Sequence, residues 1–223
     1  MKHQKDIFEA SEGDSWFERN KKAYEALPSK PDMVVDLLKR IELSPKSVLE
    51  IGCSNGIRLN LIKNAFDARC CGIDPSAQAI TDGNTRYPGL SLCTGTAESL
   101  PFEQDSFDTV IFGFCLYLCD RADLFKIAYE ADRCLQDNGT LIITDFIPPV
   151  PLKNKYVHCE GMFSYKMNYA NMFLWNPAYT QIASVVYSHA GYDLRDVPNE
   201  RITTTVLKKN TAYAYLNEPY KAP

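Results

Sequence analysis

Among the eight cysteines of this 223-residue chain no two stand in C-x-x-C spacing. That absence excludes a zinc ribbon and a thioredoxin-type redox pair, and no other motif reads as a metal site. The cysteines are expected to be small buried hydrophobes in a reducing, cytoplasmic setting, with Cys70 and Cys71 on opposite faces of one strand. No apolar run reaches the ~18 residues of a membrane span, and residues 1–30 are polar, without the apolar stretch of a signal peptide. The expectation is a soluble, unexported chain with no membrane partner. An excess of basic residues is also missing. The formal charge is -4, and scattered lysines and arginines leave no footprint for a phosphate backbone, so no nucleic-acid partner is expected. There is neither an internal repeat nor a low-complexity tract. What is present is a content of 45% hydrophobic and 12% aromatic residues, enough for one independently folding core.

Two amphipathic helices open the chain. Asp14 or Ser15 can cap the first, and Trp16, Asn20, Ala23, Tyr24 and Leu27 follow its 3.6-residue period up to Pro28. The second starts near Pro31 and places Met33, Val34, Leu37, Leu38 and Ile41 on one face. Short runs then alternate with helical stretches: SVLEI, RCCGI, LSLC, TVIFGF and TLIITDF read as buried parallel strands. The clearest intervening helix spans 122–136, with Asp120 as N-cap candidate and Gly139 after its end. The Asn176-Pro177 pair predicts a further helix over 176–191, ended by Gly191, and 203–207 is a closing strand. Such alternation predicts an α/β, doubly wound, mostly parallel sheet of about seven strands with an antiparallel edge and a helical N-terminal lid. One domain is expected, in three parts: lid 1–43, cofactor-binding core 44–146, and acceptor-site insert with closing strands 147–223.

The stretch VLEIGCSNG ends a buried strand in a carboxylate beside a bare loop. Gly52 permits a sharp turn at the strand top and Gly56 lets the next helix start close to a ligand. A G-x-G-x-x-G fingerprint starting at Gly52 needs glycine at 54 and 57, where Ser54 and Ile57 stand, and a P-loop needs a lysine that is absent. A carboxylate at Glu50 repels a pyrophosphate and attracts an ammonium group.

This segment resembles the first motif of class I S-adenosylmethionine-dependent methyltransferases, and further segments resemble that family in order: GIDPS, GTAESLPF, DSFDTVIFGF and DRCLQDNGTLIITDF. The resemblance covers residues 47–146 and implies a Rossmann-like fold, S-adenosylmethionine as cofactor and a transferase activity. It implies that Glu50, Gly52, Cys53, Ser54 and Gly56 meet the methionine end, Asp74 and Pro75 the ribose, and Thr96, Ala97, Glu98 and Phe114 the adenosine side. Thr96 replaces the family's usual aspartate, so adenine binding leans on the Ala97 amide or Glu98. The stretch EGDSWFERN resembles a segment of a subgroup associated with surface-glycan biosynthesis, in which Trp16 and Arg19 lie over the cofactor. The competing reading makes Trp16 a core residue and Arg19 a solvated one.

Methyl transfer from a sulfonium chiefly requires alignment, with a base where the acceptor is an alcohol. Of three histidines, His3 lies in a tail and His189 near the end of the expected last helix. His158, in the insert, is the candidate base, and Asp145 its rival. Tyr165 and Lys166 are candidate clamps for a phosphate or carboxylate, against a plain strand with an exposed lysine. The acceptor is expected to be a small polar metabolite, a sugar or phosphorylated compound methylated on oxygen, and the protein a monomer or homodimer. A cofactor-binding protein without transferase activity, or less favoured a nucleotide-dependent dehydrogenase, are the alternatives.

Overall fold

The computed structural model describes residues 3–26, 32–189 and 193–215, the side chains of 23–26 excepted. The expectations for the side chains of Ala23 and Tyr24, and for Leu27, Pro28, Pro31 and Gly191, lie outside the described residues. The chain opens with α1 (Gln4–Ile7), a π-helical turn (Phe8–Glu12) and α2 (Gly13–Ala26), followed by α3 (Met33–Arg40). Then come β1 (Ser47–Ile51), α4 (Ile57–Phe66), β2 (Arg69–Asp74), α5 (Ala77–Arg86), β3 (Ser91–Thr94) and β4 (Phe107–Gly113). After α6 (Leu124–Cys134) and β5 (Leu135–Phe146) a small hairpin, β6 (Leu152–Lys155) and β7 (Phe163–Lys166), leads through α7 (Asn171–Leu174) to β8 (Tyr179–Ser188) and β9 (Arg201–Lys209).

Seven strands form one sheet in the order β3-β2-β1-β4-β5-β9-β8. The first five are mutually parallel, β9 runs antiparallel to β5, and β8 antiparallel to β9. The sheet is therefore Rossmann-like, with the antiparallel edge and the N-terminal helix expected from the sequence. The strand order reverses direction at β1, where a doubly wound sheet opens a crevice. Both faces are covered. Leu49, Cys71, Val110 and Ile143 pack into one buried cluster, and Val48, Cys70, Ile111 and Ile142 into the other. This is why the central strands read as continuous apolar runs, and it sends the neighbouring Cys70 and Cys71 to opposite faces. All eight cysteines are free thiols. Among the described residues no helix is long and apolar enough to cross a membrane.

Three local expectations are corrected. The helix expected over 176–191 is the strand β8. Asn176 Oδ1 accepts from the Ala178 N–H (3.0 Å) and so closes a turn, after which the β-branched and aromatic run Ile182, Val185, Val186, Tyr187 pairs with β9. The first helix begins at Gln4, ahead of Asp14, and Asp14 caps α5 instead: its Oδ1 accepts from Ser76 Oγ (2.7 Å) and the Gln78 N–H (3.0 Å). Asp120 likewise does not cap α6. Its two oxygens accept the N–H groups of Gln4 and Lys5, each at 3.0 Å, and so cap α1 across the fold. Carboxylates placed near one helix start are thus spent on another, and each reach ties the N-terminal helix to the sheet.

Gln4 completes that attachment. Its buried side chain donates from Nε2 to the Leu118 carbonyl (2.7 Å) and accepts at Oε1 from the Phe163 N–H (2.8 Å). The N-terminal helix is held across the carboxyl ends of β2, β3 and β4.

Candidate active site

The loop after β1 is held by β2. Gly52 and Cys53 donate their N–H groups to the Ile73 carbonyl (2.9 and 3.1 Å), and Ser54 donates to Asp74 Oδ2 (2.8 Å). Gly52 has φ +74°, and a Cβ there would stand 2.6 Å from Cys115 Cβ, so the turn needs glycine on conformation and on space. Asp74 also accepts at Oδ1 from the Ser76 N–H (2.9 Å). Burial pushes its pKa up to about 6, against the pull of those two N–H donors.

A cleft of about 860 Å³, its open mouth included, lies between this loop and the N-terminal helix. Trp16, Gly52, Ser54, Asp74, Pro75, Thr96, Ala97, Glu98 and Phe114 all line it. Nine residues singled out in the sequence as cofactor contacts are thus brought together. Thr96 Oγ1 donates to Glu98 Oε1 (2.9 Å), and Lys5 from the lid pairs with Glu98 (3.2 Å) and Asp123 (2.8 Å). Lys5 gave no sequence signal, because its partners come from elements far along the chain.

Glu50 lies on the far side of Gly52 in a second cleft, with Cys53 beside it and Trp16, Gly52, Gly113 and Phe114 shared with the first. Its side chain is 2% exposed and accepts at Oε1 from Arg58 Nη1 (2.5 Å). Arg58 also donates from Nε to Asp32 Oδ2 (3.0 Å). Burial raises the Glu50 pKa to about 7, Arg58 opposing that rise. Glu50 Oε2 and Ser54 Oγ are buried without a hydrogen-bond partner among the described residues. Buried polar atoms in that state call for a partner. A bound ammonium beside Glu50 and a hydroxyl or carboxylate beside Ser54 would satisfy both, so the site's own chemistry fits S-adenosylmethionine. Gly113 is needed here too, since a Cβ on it would stand 2.5 Å from Glu50 Oε1.

The remaining sequence candidates fall elsewhere. Gly56 is the N-cap of α4 at φ 74° and lines neither cleft. Arg19 pairs with Glu12 and donates to the Tyr156 hydroxyl (3.2 Å), away from both clefts. His158 is exposed in the turn of the β6-β7 hairpin, its ring edge-on to Tyr156. His158 lines neither cleft. Lys166 is buried rather than exposed: it pairs with Glu200 Oε1 (2.6 Å) and lies over the Phe146 ring. Tyr165 packs under the Arg121 guanidinium (4.5 Å). Asp145 is buried at the end of β5, where it accepts the Phe146 N–H (2.7 Å) and Tyr117 N–H (3.2 Å); burial lifts its pKa to about 7.

In their place the second cleft presents Asp32, Arg58, Thr144, Tyr187, His189 and Ile202. The helix expected over 176–191 hides Tyr187 and His189 from the cleft, and Asp32, Arg58, Thr144 and Ile202 come from separate elements that no short motif joins. As a strand, β8 carries Tyr187 and His189 to the carboxyl end of β4.

Comparison with known proteins agrees with this geometry. Residues 49–143 match the family model described as a methyltransferase domain. The fold is the Rossmann-like methyltransferase fold. A 1,6-didemethyltoxoflavin-N1-methyltransferase from Burkholderia thailandensis, solved with S-adenosylhomocysteine and its substrate, superimposes with a TM-score of 0.67 at 14% identity, covering 92% of this chain and 87% of that one. In sequence, the chain is 31% identical to demethylmenaquinone methyltransferase of Thermotoga maritima over 52% of this chain and 49% of that protein. It is 34% identical to a phthiotriol/phenolphthiotriol dimycocerosates methyltransferase of Mycobacterium ulcerans over 48% and 40%. The chain spans about half the length of the curated relatives it matches.

Proposed function

We propose that this chain transfers a methyl group from S-adenosylmethionine to a small acceptor, holding the cofactor in the first cleft and the acceptor in the second. The observation that supports this most is that the two clefts share Trp16, Gly52, Gly113 and Phe114, so a molecule filling one ends at the other. In this reading Asp74 receives the ribose hydroxyls on the lone pairs its two N–H donors leave free. Glu50 Oε2 receives the ammonium, and Ala97, Leu118 and Ile127 wall the base. The bound group supplies a methyl on a sulfonium, and the protein's task is to hold donor and acceptor in line. The lid of 1–43, the core of 44–146 and the closing part of 147–223 act here as one unit.

The acceptor cleft speaks to the acceptor's charge. Asp32 and Glu50 offset the one arginine that lines it, and Lys166, the clamp expected from the sequence, is engaged by Glu200. That lining favours an uncharged polar acceptor over a phosphorylated one.

Calorimetric titration with S-adenosylhomocysteine tests the cofactor half. Binding heat is expected, with Asp74→Ala weaker by about 10- to 100-fold for lost charged hydrogen bonds. Absence of heat in the wild type, or Asp74→Ala binding as the wild type does, refutes the assignment.

A further inference from the structure

The second cleft contains an imidazole that nothing so far has used. His189 follows β8, and its backbone N–H is tied to the Glu200 carbonyl (3.0 Å). Its ring stacks on Phe114 at 5.3 Å and 15°, and lies 5.5 Å from the ring of Phe146. Phe114 is itself placed for this by an unusual backbone, φ +67° at the top of β4, a conformation uncommon for an aromatic residue. His189 is exposed at the mouth of the cleft, and among the described residues neither ring nitrogen has a hydrogen-bond partner. A stacked, unpartnered imidazole facing a cleft beside Thr144 and Tyr187 is oriented but unengaged.

We propose that His189 is the general base of the second cleft, and that the acceptor is therefore an uncharged small molecule presenting a hydroxyl. This rests on the methyl-transfer reading above. In the step, the acceptor O–H gives its proton to an imidazole nitrogen as the oxygen forms its bond to the methyl carbon. The S–CH3 bond breaks with its electron pair left on sulfur, which becomes a neutral thioether. The positive charge passes to the imidazolium, which returns its proton to solvent. Atoms and charge balance without any further reagent.

The surroundings keep the ring neutral and available. Burial lowers the His189 pKa below its ordinary 6.5, Lys166 adds to that, and Glu200 opposes it. The Lys166–Glu200 pair comes from β7 and the turn before β9, Phe146 and Thr144 from β5, Phe114 from β4, and Tyr187 from β8. Across the cleft stand Glu50, Asp32 and Arg58. At pH 7 the base form predominates.

The test uses His189→Phe, which keeps a stacked ring, and His189→Gln, which keeps polarity. The wild type and both variants are incubated with methyl-labelled S-adenosylmethionine and a small-molecule cell extract separated by ion exchange into neutral, cationic and anionic fractions. Label is expected in the neutral fraction. Both variants should lose about 100-fold in rate at pH 7, with S-adenosylhomocysteine affinity unchanged. The wild-type rate should fall below an inflection under pH 6.5 that the variants lack. Independently of turnover, the 13C-labelled histidine signal that disappears in both variants should titrate below 6.5 in the wild type. Label entering only the anionic or cationic fraction, variants that keep the rate and its pH profile, or a ring that titrates at or above 6.5 overturns the proposal. Bound S-adenosylhomocysteine with no labelled fraction at all instead refutes the methyl-transfer reading on which it rests.

Discussion

Replacing Glu50 by glutamine is expected to make the free protein more stable above neutrality while weakening the cofactor. Burial lifts the Glu50 pKa from 4.5 to about 7. Between those values the folded chain binds a proton that the unfolded chain has released, so stability falls as pH rises through the window. Above it the ionised carboxylate costs about 3 kcal/mol, at about 1.4 kcal/mol per pH unit. Glutamine carries no such cost. It also leaves no bare cation, since Arg58 keeps Asp32 at 3.0 Å. Urea unfolding at pH 5 and pH 8 measures the effect. The two proteins should agree within about 1 kcal/mol at pH 5, and the variant should be stabler by about 3 kcal/mol at pH 8. Asp74 and Asp145 titrate in the same window in both proteins, so the difference isolates Glu50. Titration with S-adenosylhomocysteine at pH 8 should show affinity lower by about 10- to 100-fold, the worth of one hydrogen bond to a charged group. A variant less stable than the wild type at pH 8 would mean that the Arg58 pair stabilises the fold outright. Unchanged affinity would mean that Oε2 faces no ammonium, and either result refutes the reasoning.

Two further substitutions probe the surroundings. Gly113→Ala places a Cβ 2.5 Å from Glu50 Oε1 and 2.7 Å from the Gly52 carbonyl; unfolding should show a loss of about 1–3 kcal/mol, together with weakened cofactor binding, and a variant that binds normally shows that the strand top has room to spare. Gln4→Ala strips the Leu118 carbonyl and Phe163 N–H of their partner. Hydrogen exchange of amides 4–12 should quicken and S-adenosylhomocysteine leave faster, at a cost of about 1–3 kcal/mol confined to the lid, whereas unchanged exchange shows that the Asp120 and Lys5 contacts hold the helix without Gln4.

The lining of the first cleft was legible because its signals are local. A glycine at φ +74° directly after β1, an acid ending β2 and the buried strands are each read from a run of a few residues, without their distant partners. The second cleft depends on residues far apart in the chain, such as Arg58 with Asp32 or Phe114 with His189, and no short motif encodes such pairs. The Asn-Pro pair at 176 carried a helix-start signature, yet the residues after it are β-branched and find a ladder partner in β9. Tertiary pairing overrode the local cue, and with the wrong element His189 was assigned to a helix end instead of a cleft wall. His158 shows the converse: its place in the insert suggested function, but it is exposed in the loop joining β6 to β7 and lines neither cleft.

Three carboxylates at strand tops, Glu50, Asp74 and Asp145, are buried and raised in pKa, so burial alone does not mark which of them meet a ligand. A place on a cleft wall does, together with an oxygen left without a protein donor. Both oxygens of Asp145 are taken by N–H groups of its own neighbour and of the turn at 115–118, and that turn supplies Leu118 and Cys119 to the first cleft. Asp145 therefore shapes the wall without facing the cavity. Asp74 has one N–H on each oxygen and lines the cavity, leaving lone pairs for a diol. Glu50 has one oxygen held by Arg58 and the other bare. Across these three strand tops only Asp74 and Glu50 line a cleft, and only Glu50 keeps an oxygen without a protein donor among the described residues. The energy withheld from folding at Glu50 is what a cofactor's ammonium can restore.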